Sequence, residues 1–285
     1  MIDVQDAVAD RYLRVLGITY TPVSYDGLCE VVRQHLVRVP FENISKLRLF
    51  AREGAGRPIT LPEFLDGIER EDLGGTCYSS NPFLAALLAA LGYDAALLGA
   101  DMSTPDVHTS IRVRLDGREY HVDVGYAGPF AVPIPLDRLP YRIPLGGCLY
   151  VFDRARGGHE MTIFAGGEKR HGYVVHQPPR APSFFHQTIV GSFERGRTFM
   201  RCLRVTRFFD DGEAVELRNR KLLRLSREGS SEQQIDTLDE LQRAVSDEFR
   251  MPRCRIEEAV ATLEQLNGRE FFGAERWLDS TEGPD

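Results

Sequence analysis

Asp116-Gly117, set between two alternating runs, constrains the fold of this chain more than any other pair of residues. Both central positions of a two-residue type I′ turn take positive φ, and Asp-Gly does so at low cost. The turn sets the register of residues 107–126 by counting. Leu115 opposes Arg118, Arg114 faces Glu119, Val113 faces Tyr120, Arg112 faces His121, Ile111 faces Val122 and Ser110 faces Asp123. The pleat then sorts the side chains. Thr109, Ile111, Val113 and Leu115 share a face with Tyr120, Val122 and Val124, while His108, Ser110, Arg112 and Arg114 share the other with Glu119, His121 and Asp123. A slip by one residue would mix the two sets. His108 and Asp123 thus become diagonal neighbours, roughly 7–8 Å apart at the backbone and within reach of each other's side chains.

That pairing gives Cys77 a meaning. The cysteine follows Gly74-Gly75-Thr76 and precedes an apolar run, Phe83 to Leu91, that reads as a buried helix. A cysteine, a histidine and a carboxylate in that order are the parts of a thiol nucleophile, its base and the group that orients the base. A carboxylate at Asp123 can take one imidazole N–H of His108 and leave the other nitrogen for the thiol. The bland readings are a small buried cysteine, a surface histidine and a salt-bridged aspartate. The joint placement weighs against them, because Asp123 is a poor strand former on a strand of good ones.

The remaining chain organises around this core. Residues 3–92 read as mostly helical: Asp6 to Leu16 is amphipathic, Ser24 caps a helix running to Val37, and Thr60-Leu61-Pro62-Glu63 is a capping box opening a helix to Glu69. Pro82 is expected in the first turn of the next helix, since an interior proline is disfavoured. From Ala95 the period changes to two, with strands expected at 95–100, 107–115, 118–126, 148–152, 160–165 and 172–176, and an irregular proline-rich segment from Pro129 to Pro144. Beyond residue 183, strands at Met200 to Thr206, Ala214 to Leu217 and Lys221 to Leu225 alternate with helices at Thr237 to Phe249 and Arg255 to Leu266, before a tail from Trp277 that is expected to fray. Gly157-Gly158 and Gly166-Gly167 are hairpin turns, not phosphate loops, because neither leads into a lysine–hydroxyl pair at a helix start. The basic stretches Lys169-Arg170-His171 and Arg218 to Arg224 read as solvated faces or as landing sites for phosphates.

Composition excludes several classes. A formal net charge of −7 carries no general nucleic-acid footprint. Five irregularly spaced cysteines give neither a disulfide framework nor a zinc spacing, so a reducing, cytoplasmic setting is expected; His108, His121 and Asp123 near Cys77 are a mixed donor set with no ligand pair at finger spacing, so no metal is expected. Met1 to Asp6 lacks the apolar run of a signal peptide, and no apolar stretch reaches membrane-spanning length.

Four segments carry a resemblance. Val39-Pro40-Phe41-Glu42-Asn43-Ile44, Gly74-Gly75-Thr76-Cys77-Tyr78-Ser79-Ser80-Asn81, Val107-His108-Thr109 and Val122-Asp123-Val124-Gly125-Tyr126 resemble, in order and spacing, the signature series of the arylamine N-acetyltransferases. The likeness covers roughly residues 10–130 and fades after about 150. It implies an α+β fold with a cysteine-protease-like Cys-His-Asp core: an N-terminal helical bundle over 1–92 carrying the nucleophile, a central β-barrel-like domain over 93–182 carrying the histidine and aspartate, and a C-terminal α/β lid over 183–285. It implies Cys77 as nucleophile, His108 as base and Asp123 as orienting carboxylate, with Phe41, Val107 and Tyr126 lining the acceptor pocket. Acyl-CoA or an acyl-carrier thioester is the implied co-substrate and a small-molecule amine the acceptor, with no permanently bound cofactor.

Two positions depart from that pattern. Leu73 stands where the family usually has an arginine, and Ser79 where it has a glutamate. The arginine's usual partner, Glu42, is kept. It is therefore expected to be solvated or to pair with another cation such as Arg70 or Arg112. The departures point to a specialised branch, of which the macrolactam-forming ansamycin amide synthases are an example. Hydrolysis by the same triad and a non-catalytic binding relative remain the alternatives.

Overall fold

The computed structural model describes residues 4–19, 22–274 and 277. The first ninety residues form five helices: α1 (Val4–Val15), α2 (Tyr25–Arg38), α3 (Ile44–Glu53), α4 (Leu61–Glu71) and α5 (Cys77–Ala90), with a two-residue strand, β1 (Phe41–Glu42), before α3. Ser24 Oγ accepts from Gly27 N at the start of α2, and the Thr60/Glu63 capping box opens α4 with Pro62 in its first turn. Leu28, Val31, Val32, Phe64, Leu65, Leu84 and Leu88 are buried together and form the helical core.

An eight-stranded antiparallel sheet follows, curled into a barrel-like shape. Its strands are β2 (Asp94–Asp101), β3 (His108–Leu115), β4 (Arg118–Val122), β5 (Ile134–Pro135), β6 (Tyr141–Leu145), β7 (Cys148–Ala155), β8 (Gly158–Ala165) and β9 (Glu168–Pro179). Their order is β5-β4-β3-β2-β9-β8-β7-β6. The hairpin register read from Asp116-Gly117 is observed for all five pairs from Leu115↔Arg118 to Ile111↔Val122. Asp116 and Gly117 have φ of 49° and 74°. The ladder ends one pair short of Ser110 and Asp123, so β4 stops at Val122 rather than continuing to Tyr126. One face of the hairpin lays Ile111, Val113, Val122 and Val124 on the helical core. The other looks into the barrel, where Phe130, Phe152, Met161, Tyr173 and Val175 are packed.

The last segment contributes α6 (His186–Gly191), α7 (Thr198–Arg201), a second sheet of β10 (Arg204–Phe208), β11 (Ala214–Arg218), β12 (Lys221–Leu225) and β13 (Ser230–Gln234), then α8 (Leu238–Arg243) and α9 (Ile256–Asn267). This sheet is ordered β1-β10-β11-β12-β13, so an N-terminal strand forms its edge. Phe41 pairs with Thr206 and Glu42 with Val205, while Phe41 also bridges to Gly75. Ile44, Leu47 and Leu73 lie in the same buried cluster as Leu217, Phe249, Ile256 and Leu263.

Three local expectations are corrected, and one further strand carried no sequence signal. The helix expected to begin near Pro82 starts at Cys77, placing Pro82 in its interior. Tertiary bonds outweigh the proline there: Thr109 Oγ1 donates to the Cys77 carbonyl at 2.7 Å, and Asn81 Nδ2 donates to the Thr109 carbonyl. The proline-rich stretch holds β5 and β6. Both are outer strands of the eight-stranded order, where a proline's missing N–H costs no central ladder bond. The stretch from Met200 to Thr206 is one turn of helix before its strand begins at Arg204. β13 is polar and exposed throughout, so it carries no alternating signal. The tail beyond Trp277 lies outside the described residues. Among the described residues no helix is long and apolar enough to cross a membrane.

Candidate active site

Cys77 is the first residue of α5, with Thr76 as the cap in extended backbone. The positive end of a helix dipole therefore lies at its sulfur. Gly125 packs directly against it: a Cβ there would sit 2.5 Å from Cys77 Cα and 2.8 Å from Asn81 Nδ2. Ser79 Oγ donates back to the Thr76 carbonyl at 3.1 Å, closing the first turn where the resemblance implied a charged residue. Leu73 goes into the apolar core shared with the C-terminal segment.

His108 opens β3 and Asp123 follows β4, both buried. His108 Nε2 lies 2.7 Å from Asp123 Oδ2. That contact leaves Nδ1 for Cys77, which together with Asp123 acts electrostatically on the ring. Burial works against a charged imidazole, but Asp123 and Cys77 outweigh it and raise the His108 pKa to about 10. Burial likewise disfavours an ionised Asp123. His108 and the hydrogen bonds around the carboxylate reverse this and bring it down to about 2. Its Oδ1 accepts from Asn81 Nδ2 and Gly125 N, each at 2.9 Å, and its Oδ2 accepts from Tyr173 Oη at 2.8 Å. Asn81 also accepts the Val124 N–H at 2.9 Å, which ties α5 to the strand end that carries Asp123.

Cys77, His108 and Gly125 border a cavity of about 500 Å³. Phe41, Val107 and Tyr126 line it together with Cys77 and His108, so all the expected pocket residues meet at one place. The far wall comes from α6, α7 and the second sheet, and includes Ser192, Phe199, Arg204, Glu216 and Arg218. Of the basic stretches, His171 and Arg218 reach this cavity, whereas Arg220, Lys221 and Arg224 pair with Asp236, Glu232 and Glu248. Among the described residues, no three histidine, cysteine or acidic side chains group as a metal ion would need.

Glu42 is neither solvated nor paired with Arg70 or Arg112. It is fully buried, and its carboxylate accepts from Ser45 N at 2.8 Å and Gly74 N at 3.0 Å. Backbone N–H groups at the start of α3 and at Gly74 replace the missing guanidinium, while burial raises its pKa. Sequence reasoning missed Asn81 and Tyr173 as partners of Asp123. Asn81 sits in the nucleophile motif, one turn along α5 from Cys77, a spacing that could have signalled it. Tyr173, on the far side of the barrel, gave no signal.

The N-acetyltransferase family pattern matches residues 24–253, most of the chain. The chain belongs to the arylamine N-acetyltransferase family. Among curated arylamine N-acetyltransferases, it is 30% identical to the pineal gland isozyme NAT-3 of Gallus gallus over 129 residues, 42% of this chain and 43% of that protein. It is 26% identical to arylamine N-acetyltransferase 1 of Bos taurus over 179 residues, 59% of each chain. The chain thus spans about half the length of the curated relatives it matches. The arylamine N-acetyltransferase of Mycobacterium marinum shares the fold with a TM-score of 0.76 at 20% identity, covering 90% of this chain and 99% of that one. The Salmonella typhimurium enzyme does so with a TM-score of 0.76 at 16% identity, covering 91% and 98%.

Proposed function

We propose that this chain is an N-acyltransferase that carries an acyl group from a thioester, coenzyme A-bound or carrier-bound, through an acyl-cysteine at Cys77 to a small-molecule amine. The observation that carries the reading is that Cys77 and His108 line one cavity while Asp123, buried behind the ring, lies 2.7 Å from His108 Nε2. His108 takes the thiol proton at Nδ1, and Cys77 Sγ attacks the thioester carbonyl. The imidazolium returns that proton to the departing thiol. An amine then attacks the acyl-cysteine, its proton passes to Nδ1, and Cys77 leaves with the amide formed. Asp123 keeps Nε2 protonated, so that Nδ1 is the nitrogen that works. A neighbour of the same fold, the M. marinum enzyme, has been solved in complex with CoA, which supports coenzyme A as the donor handle.

The size of the cavity favours substrates larger than acetyl and a single ring. At about 500 Å³ it is roughly three times a space that holds benzene. That size supports a larger natural acyl group, delivered on coenzyme A or a carrier protein, with remote binding energy used to accelerate the chemistry.

Intact-mass measurement after incubation with acetyl-CoA, longer acyl-CoAs and acyl-pantetheine thioesters tests both parts. One added acyl group is expected on the wild type and none on Cys77→Ser, with the label passing to an arylamine as an amide. Acylation that survives Cys77→Ser overturns the nucleophile, and release of free acid in the presence of amine identifies a hydrolase. If acetyl-CoA gives the highest kcat/KM by a wide margin, the larger-acyl reading is dropped.

A further inference from the structure

Behind the triad, the barrel interior holds a second row of polar groups that acyl transfer does not use. Beyond the 2.8 Å contact of Tyr173 Oη with Asp123 Oδ2, His121 Nε2 lies 3.0 Å from Tyr173 Oη, and His159 Nε2 lies 2.9 Å from His121 Nδ1. The three residues come from β9, β4 and β8 and all are buried. Their neighbours include Phe130, Phe152 and Met161. Polar groups in such surroundings are costly unless they are partnered, and these partner one another in a single file.

Counting hydrogens sets the direction of the file. With Asp123 ionised, Tyr173 must donate to it, because the opposite rotamer would set two lone pairs face to face. Tyr173 Oη then accepts from His121 Nε2–H. His121 Nδ1 is bare and accepts from His159 Nε2–H, and His159 Nδ1 is left as a bare nitrogen. That nitrogen is the buried side-chain atom of the row without a hydrogen-bond partner, and an orphaned acceptor is a cheaper end than an orphaned N–H. Burial lowers the pKa of His121 well below its ordinary value and that of His159 to about 4, so both rings are neutral, as the file requires.

We propose that His121 and His159 are positioning residues for His108: with Tyr173 they form a one-way file of donors whose direction is set by the charge of Asp123 and which holds that carboxylate turned toward His108. What His108 does rests on the acyl-transfer reading; the file itself does not. Asp123→Asn should reverse it. Asn81 Nδ2 and Gly125 N donate to the Oδ1 position, so the amide oxygen settles there and the NH2 group faces His108 and Tyr173. Tyr173 then donates to His121, the His121 proton moves to Nδ1, and His159 ends with Nδ1–H.

Nitrogen-15 NMR of the histidine-labelled full chain at neutral pH reads this directly. The expected result is Nε2–H for His121 and His159 in the wild type and Nδ1–H for both in Asp123→Asn. Nδ1–H on His121 in the wild type, or unchanged tautomers in the variant, overturns the proposal. A second arm compares His121→Gln, which keeps a side-chain N–H for Tyr173, with His121→Leu, which has none. The alkylation rate of Cys77 and kcat should fall several-fold in the leucine variant, the scale of one hydrogen bond, with KM unchanged and most of the loss recovered by glutamine. Equal losses in the two variants, or no loss with leucine, would mean that the ring only packs and would overturn the proposal. A wild type that transfers no acyl group but shows the expected tautomers would sink the functional reading and leave the file standing.

Discussion

Cys77 shares the chain with four other thiols, and their surroundings separate them. Burial pushes the Cys254 thiol far above its ordinary pKa and raises that of Cys29, although Tyr25 offsets part of the effect at Cys29. Cys202 is fully buried, and its Sγ donates to the Thr198 carbonyl at 3.0 Å. Only Cys77 has both an imidazole partner and a helix N-terminus among the described residues. Iodoacetamide near neutral pH should therefore modify Cys77 first, read by peptide mass mapping over time. Labelling of Cys29 or Cys148 at the same rate would remove the case for an activated thiol. The departures at Leu73 and Ser79 do not disturb this arrangement. One side chain has joined an apolar core, and the other closes the first turn of the helix.

At the scale of elements, the site depends on how closely α5 and the end of β4 approach each other. Gly125 is where they touch, and no side chain fits between its Cα and the backbone of Cys77. Asn81 bridges the same gap with bonds to Thr109, Asp123 and Val124. Gly125→Ala should push Cys77 away from His108. A misplacement near 1 Å costs about 100-fold in rate, and overpacking costs about 1–3 kcal/mol in stability. Steady-state kinetics together with urea unfolding would check both. A variant with wild-type kcat/KM would show that the contact can relax. Pro82 in the interior of α5 belongs to the same account, since the tertiary bonds at Cys77 and Asn81 place the start of the helix where local preference alone would not.

For the whole molecule, burial of neutral histidines ties stability to pH. Burial lowers the His35 pKa to about 3, holds His121 well below its ordinary value and brings His159 to about 4. Below about pH 6.5 the unfolded chain protonates these sites while the folded chain does not. Stability is thus lost as pH falls, by about 1.4 kcal/mol per pH unit for each such site. His108 acts in the opposite sense. Its folded pKa is raised to about 10, so its contribution is full below about pH 6.5 and is lost as pH rises toward 10. Asp123, held at about 2, contributes above its unfolded value of about 3.9 and loses that only in strong acid. Urea unfolding across pH 4 to 10 should show stability falling below about pH 6.5 and changing little between pH 7 and 10, where Lys46, lowered by burial to about 7, gains stability with pH as His108 loses it. A flat acid limb between pH 6.5 and 4 would contradict the neutral, buried state of these histidines.

How much of this was legible depended on the range of the forces involved. A two-residue turn encodes its own geometry, so Asp116-Gly117 determined five cross-strand pairs and with them the shared face of His108 and Asp123. The capping box at Thr60 and Glu63 and the Ser24 cap are equally local, and both were readable. Long-range partners were not. β1 is two residues long and exists because Phe41 and Glu42 pair with Thr206 and Val205 from the far end of the chain. Glu42 takes backbone N–H groups that no side-chain pattern announces. Tyr173, His121 and His159 are an ordinary scatter along three strands until the sheet curls and brings their polar atoms into one file. By itself the sequence singled out Cys77, His108 and Asp123 and determined the register that puts the last two on one face, because each rests on spacing along one short stretch of chain. The tertiary structure alone decided what holds that carboxylate and what walls the cavity, because those contacts form only when separate strands and helices bury their faces against one another.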